Sequence, residues 1–198
     1  GMTETNMNAS NPLKGERKAG SVGKVLKGTS IRITSIGKNN LSEINEPGMI
    51  EIKGPNVFTG YFNKPEKTKE AFTDDEYFIT GDMGYFDKEG YLFISGRNKD
   101  LIISGGYNVY PKEIEDIINQ FDGIIESAVF GLSDDDLGEI PTAAIVTNEN
   151  NFNLDDLKKF IQENLARYKV PKKYFLISEL PRNVMGKVQK NILKDQYS

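Results

Sequence analysis

Residues 96–115 read Gly96-Arg97-Asn98-Lys99-Asp100-Leu101-Ile102-Ile103-Ser104-Gly105-Gly106-Tyr107-Asn108-Val109-Tyr110-Pro111-Lys112-Glu113-Ile114-Glu115, and the texture of the chain changes across them. Upstream, short β-branched and aromatic runs alternate with turn residues. Ile31-Arg32-Ile33-Thr34, Met49-Ile50-Glu51-Ile52 and Tyr91-Leu92-Phe93-Ile94 read as strands of a small, mostly β unit. Downstream, helical spacing takes over. Pro111 suits the first turn of a helix, and Ile114, Ile117, Ile118 and Phe121 follow at helical intervals before Asp122-Gly123.

Working outward, residues 127–132 and 142–147 read as buried strands, and residues 173–177 as a further strand. Asn153 is placed to cap a helix carrying Leu154, Leu157, Phe160, Ile161 and Leu165, and residues 188–196 read as a short terminal helix. Residues 1–20 are polar, rich in Asn and Gly, and read as loop. The fold class expected is α+β. A β-rich unit over residues 1–98 joins, without a flexible linker, a compact α+β unit over residues 99–198 with a small sheet and flanking helices.

Composition narrows the chemistry. The 198 residues are 37% apolar and 27% charged, as in soluble globular proteins. The net charge of −4 opposes general binding to nucleic acid or to a membrane surface. Neither cysteine nor histidine occurs, which excludes disulfides, thiolate metal sites and Ser/His or Cys/His nucleophile pairs. Chemistry is left to Lys, Arg, Asp, Glu, Thr and backbone amides. No apolar run of about 18 residues and no signal-peptide pattern occurs, so a cytoplasmic protein is expected.

Three segments stand out. In Thr80-Gly81-Asp82, a carboxylate follows a Gly bend and is suited to a vicinal diol such as ribose, although an isolated Gly-Asp pair is usually only a β-turn. In residues 96–115, Arg97 leaves a strand, Lys99-Asp100 follows, and Gly105-Gly106 allows close approach to backbone; the plain alternative is a hairpin with a surface ion pair. In Leu180-Pro181-Arg182-Asn183-Val184-Met185-Gly186-Lys187-Val188-Gln189-Lys190, a Pro-led loop sets Lys187 after a Gly, where an ammonium can meet developing charge on a phosphate or carboxylate. A single exposed Lys is more often solvated surface.

Taken in this order and at these separations, the three segments resemble the late motifs of the adenylate-forming superfamily, which includes acyl-CoA synthetases, luciferases and nonribosomal peptide synthetase adenylation domains. The nearest likeness is to malonyl-CoA synthetases, through Gly54-Pro55-Asn56-Val57-Phe58, Pro65-Glu66-Lys67-Thr68, the stretch from Gly105 to Glu113, and Leu180-Pro181-Arg182-Asn183. Gly1-Met2-Thr3-Glu4 resembles the end of the family's Tyr-Gly-Met-Thr-Glu motif.

The resemblance implies an acid–thiol ligase that uses ATP, magnesium and CoA. A carboxylic acid, malonate-like here, is first adenylated and then passed to the CoA thiol. It implies that Thr3 contacts the AMP phosphate, Glu4 holds magnesium, Asp82 and Arg97 hold the ribose, and Lys187 is the catalytic lysine of adenylation. Lys99 falls at the hinge, and Gly105 and Gly106 at the CoA tunnel. Residues 1–98 would then be the end of the large AMP-binding domain and residues 99–198 the mobile C-terminal domain. The phosphate loop and the adenine and acid pockets of such enzymes have no counterpart here, so the isolated chain is expected to be inactive. It would self-associate through uncovered apolar surface or pair with a separate N-terminal domain. The alternative is a non-catalytic CoA- or nucleotide-binding module.

Overall fold

The structure is a computed structural model and describes residues 1–37, 40–148 and 152–198. The chain forms two compact units, Gly1–Asn98 and Lys99–Ser198.

In the first unit a small ribbon pairs β1 (Ala9–Ser10) with β2 (Lys24–Val25). The main sheet is antiparallel, with β3 (Ser30–Thr34), β4 (Gly48–Lys53), β5 (Phe78–Phe86) and β6 (Leu92–Arg97) side by side in that order. Helix α1 (Pro65–Glu70) precedes β5. Strand alternation explains the two faces. The register Ile31↔Ile52 and Ile33↔Ile50 stacks four isoleucines on one side, where Ile33, Ile50, Ile52 and Leu92 form the core. On the other side Arg32 lies opposite Glu51, its Nε 2.6 Å from the Glu51 carboxylate, while Thr34 Oγ1 donates to the same carboxylate at 2.9 Å. Arg32 also pairs with Asp75 and lies over the Tyr77 ring at 3.9 Å. Glu51 is buried, so these partners offset the cost of taking its charge from water.

Sequence periodicity did not reveal β5 or α1. Strand β5 runs nine residues but contains Gly81 and Gly84, which hide its alternation. For α1, Pro65 at the first helical position was a usable signal. The Thr80-Gly81-Asp82 segment is not a β-turn: it is a bulge inside β5. The β4–β5 register passes from Met49↔Met83 to Glu51↔Ile79, leaving Thr80, Gly81 and Asp82 opposite the single residue Ile50.

The second unit is built around β10 (Gly138–Thr147). Strand β9 (Ile124–Asp134) runs antiparallel along one edge of it. The other edge takes β11 (Lys173–Leu176) in parallel and β7 (Ile102–Ser104) at Gly138, and β7 forms a hairpin with β8 (Tyr107–Val109). Alternation along β9 and β10 divides the core in two. Val129, Ala143 and Ile145 pack with Ile114 and Ile118 of α2 (Pro111–Ile118) and with Leu157 and Ile161 of α3 (Leu154–Asn164). Ala128, Phe130, Leu132, Ala144 and Val146 pack with Leu180 and with Leu193 of α4 (Lys190–Tyr197). Covered on both faces, β10 reads as the unbroken run Ala143-Ala144-Ile145-Val146.

Asn153 caps α3 as expected, its Oδ1 accepting from Asp155 N at 3.0 Å. Helix α4 starts two residues later than its apolar pattern suggests, because Val188 forms a β-bridge with Arg182 instead.

Candidate active site

The first unit carries an ion pair whose carboxylate is partly buried and whose guanidinium is exposed. Asp82 and Arg97 face each other across β5 and β6, with Nε 2.8 Å from Oδ1. Thr80 sets the bulge that aims Asp82. Its hydroxyl donates to Ile50 O at 2.8 Å and accepts from Asp82 N at 3.0 Å, while Gly81 supplies the left-handed turn at φ +73°. Asp82 borders a cleft of about 220 Å³ whose wall includes Asn8, Val22, Ile50, Thr80 and Leu92. Burial pushes the Asp82 carboxyl above its ordinary value, outweighing the opposite pull of Arg97. A carboxylate held this way retains lone pairs for a diol while its charge stays matched by Arg97.

Thr3 and Glu4 occupy a tight turn at the start of the same unit, closed by Met2 N to Asn6 O at 3.0 Å. Asn56 anchors residues 5–8, donating to Thr5 O at 2.6 Å and to Asn8 Oδ1 at 3.1 Å. Phe58 N donates to Glu4 O at 2.8 Å, and the Tyr61 hydroxyl reaches the Glu4 carboxylate at 3.3 Å. Asn56 and Tyr61 are supports that sequence reasoning missed; Asn56 stood in a quoted motif, but nothing local linked it to a segment fifty residues away. Among the described residues no cluster of three or more Asp or Glu side chains is placed to hold a metal. A single carboxylate at Glu4 suits a magnesium ion carried mainly by nucleotide phosphates.

The second unit carries Lys187 and the Gly pair. Lys187 is exposed at the end of a loop whose backbone is fastened at several points. Asn183 Oδ1 accepts from Met185 N and Lys187 N, each at 3.0 Å, and Asn183 N donates to Lys187 O at 2.9 Å. Arg182 donates to Gly186 O at 2.8 Å and pairs with Glu126, and Lys190 pairs with Glu115 at 2.6 Å. Asn183, three residues before Gly186 in a Pro-led loop, was a legible side-chain turn signal. Glu126 and Glu115 were not legible, lying far off in sequence.

Gly105 and Gly106 are the two loop residues of the β7–β8 hairpin, at φ +56° and +82°. The hairpin named as the plain alternative for this stretch is therefore present. The Arg97–Asp82 ion pair belongs to the first unit, not to this hairpin. Lys99 is exposed in a 3-10 turn spanning Asn98–Asp100 and is the first residue of the second unit.

Residues 1–62 match the AMP-binding enzyme family, and residues 113–187 match the AMP-binding enzyme C-terminal domain. The chain belongs to the AMP-binding enzyme family. Within it, malonate–CoA ligase of Arabidopsis thaliana is 41% identical over 206 residues, covering 98% of this chain and 33% of the relative. The crystal structure of ATP-bound MatB from Rhodopseudomonas palustris superposes with a TM-score of 0.93 at 49% identity, covering 100% of this chain and 39% of that one. The MenE o-succinylbenzoate-CoA synthetase of Bacillus subtilis, in complex with ATP and magnesium ion, superposes with a TM-score of 0.81 at 39% identity, covering 90% of this chain and 36% of that one. The chain thus spans a third to two fifths of these AMP-binding enzymes and corresponds to their C-terminal part. Among the described residues no helix is long and apolar enough to cross a membrane.

Proposed function

We propose that these residues form the C-terminal part of an AMP-forming acid–CoA ligase acting on a small acid of the malonate kind. The observation that carries this reading is the Asp82–Arg97 pair, set by a bulge at the mouth of an apolar cleft in a chain whose second unit presents a fastened lysine. The malonate preference rests on the names of relatives at 41% and 49% identity.

In the first half-reaction a carboxylate oxygen attacks the α-phosphorus of ATP and the bond to pyrophosphate breaks. Asp82 and Arg97 hold the ribose hydroxyls, and Thr3 donates to the α-phosphate. Glu4 would hold a magnesium ion, which would supply positive charge to neutralise the phosphates. Lys187 stands between two anions that repel each other, so its ammonium offsets a repulsion of about 4 kcal/mol for unit charges at contact distance near a protein surface. In the second half-reaction the CoA sulfur attacks the acyl carbon and AMP leaves. Lys99 is the hinge about which the second unit turns between the two half-reactions, and the Gly105-Gly106 turn, without Cβ atoms, leaves room for the pantetheine arm. Residues 1–98 are then the last part of the large domain and residues 99–198 the mobile domain.

The test is a fusion of this chain behind the upstream portion of Rhodopseudomonas palustris MatB, assayed for malonyl-CoA and AMP from malonate, ATP and CoA. Product formation supports the reading. A folded fusion without product, beside active parental MatB, refutes it. The chain alone is expected to give no product and to self-associate at high concentration, which light scattering reads directly.

A further inference from the structure

The β7–β8 hairpin that bears Gly105 and Gly106 has only three residues in each strand, too few to hold their own shape in water. Its β7 edge is held by three consecutive residues, Leu137 and the first two of β10. Leu137 O accepts from Gly105 N at 2.9 Å, and Gly138 pairs with Ser104. Glu139 then breaks the pattern. The amide of Ile103 donates not to a backbone carbonyl but to Glu139 Oε2, at 3.2 Å. The other carboxylate oxygen, Oε1, lies 3.1 Å from Lys194 Nζ on α4. A side chain therefore takes the place of a ladder acceptor in a hairpin that has few others.

The space for that carboxylate is built into the neighbouring strand. A Cβ on Gly131 of β9 would lie 2.8 Å from Glu139 Cδ and Oε1 and 3.0 Å from Oε2, so the carboxylate end of this flexible side chain would have to move from its present place. Gly131 has no positive φ, so no backbone requirement explains its glycine. The glycine leaves the carboxylate free to sit where it meets the Ile103 amide.

We propose that Glu139 is a positioning residue for the Gly105-Gly106 turn, seated by Gly131, and that it serves the CoA step rather than adenylation. This rests on reading the chain as part of a CoA ligase. Glu139 touches no substrate: it fixes the height of Ile103 and hence the path of the turn two residues on. The ion pair to Lys194, 39% and 30% exposed at its two ends, ties the carboxylate to α4, whereas the hydrogen bond to Ile103 is the contact that reaches the hairpin.

The experiment uses the MatB fusion and the 198-residue chain in parallel. In the fusion, Glu139→Ala is expected to raise KM for CoA about tenfold or more while malonate-dependent pyrophosphate exchange stays within about twofold. Gly131→Ala, which crowds the carboxylate without removing it, is expected to shift KM for CoA in the same direction. Glu139→Gln keeps an oxygen for Ile103 and is expected to recover most of the loss, and Lys194→Met is expected to leave KM for CoA unmoved. In the chain itself, amide exchange at Ile103 should accelerate in Glu139→Ala and Gly131→Ala. Equal loss of both half-reactions, or a CoA effect that follows Lys194 instead, overturns the proposal. Unchanged Ile103 exchange overturns it whatever the fusion does. A parental fusion that makes no malonyl-CoA, together with accelerated Ile103 exchange, refutes the ligase reading while leaving the carboxylate's hold on the hairpin standing.

Discussion

The Asp82 carboxylate sits 2.8 Å from Arg97 Nε across two neighbouring strands, yet burial still pushes its carboxyl above the ordinary value. Its charge is thus held in the folded state at a cost that the ion pair only partly offsets. Two consequences can be measured.

The first concerns stability. A carboxyl whose folded-state value is raised favours folding while protonated, and loses that contribution as pH rises through the raised value. At neutral pH Asp82 therefore works against the fold, and Asp82→Asn is expected to raise the melting temperature of the first unit, by up to about 1 kcal/mol in stability after screening. The gain should shrink as pH falls toward the acid range. Calorimetry of the two proteins at pH 7 and pH 4 checks both signs.

The second concerns function. In the MatB fusion, the same Asp82→Asn change should weaken ATP and AMP by about 1–3 kcal/mol, the usual cost of a lost charge-assisted hydrogen bond. Titration calorimetry with AMP reads this. Higher stability with unchanged AMP affinity would remove Asp82 from the nucleotide site.

Lys187 should divide the two half-reactions. Lys187→Ala is expected to lower malonate-dependent pyrophosphate exchange by about 10²–10³-fold, the scale of one electrostatic contact made in the transition state. Thioester formation from preformed malonyl-adenylate and CoA should be largely kept. Assaying the steps separately makes the distinction.

Asn183 should act through that lysine. Its Oδ1 holds the amides of Met185 and Lys187, so Asn183→Ala frees the loop without touching the core. Adenylation is expected to fall about tenfold, with faster amide exchange at Lys187 and a melting temperature within a few degrees of the parent.

The core of the second unit offers a control. Ile145 is fully buried between the sheet and helices α2 and α3, and Ile145→Ala should cost about 2–5 kcal/mol. Urea unfolding should show the loss, with the midpoint moving and the slope unchanged.

Much of the architecture was legible in the sequence because it depends on local chemistry. The alternation in residues 31–34 and 49–52, the Pro at the start of α2, the Asn153 cap and the apolar runs of β9 and β10 each signal their element within one window of chain. The ordered motifs also marked Asp82, Arg97, Gly105, Gly106 and Lys187. Strand β5 escaped because its glycines break the alternation, and α1 because one and a half turns of Pro-Glu-Lys-Thr-Lys-Glu have no apolar face.

Tertiary structure decided how those residues are aimed. Whether Gly81-Asp82 was a turn or a bulge depended on Ile50, thirty residues away, since only strand pairing shows three residues standing opposite one. That Glu139 reaches the Ile103 amide depended on a contact spanning 36 residues, and that Asn56 holds the segment after the Thr3–Glu4 turn depended on one spanning 51. Sequence determined which groups are present and which elements carry them, because propensity and period act over a few residues. Hydrogen bonds between distant strands leave no periodic trace, and they alone determine which atoms meet.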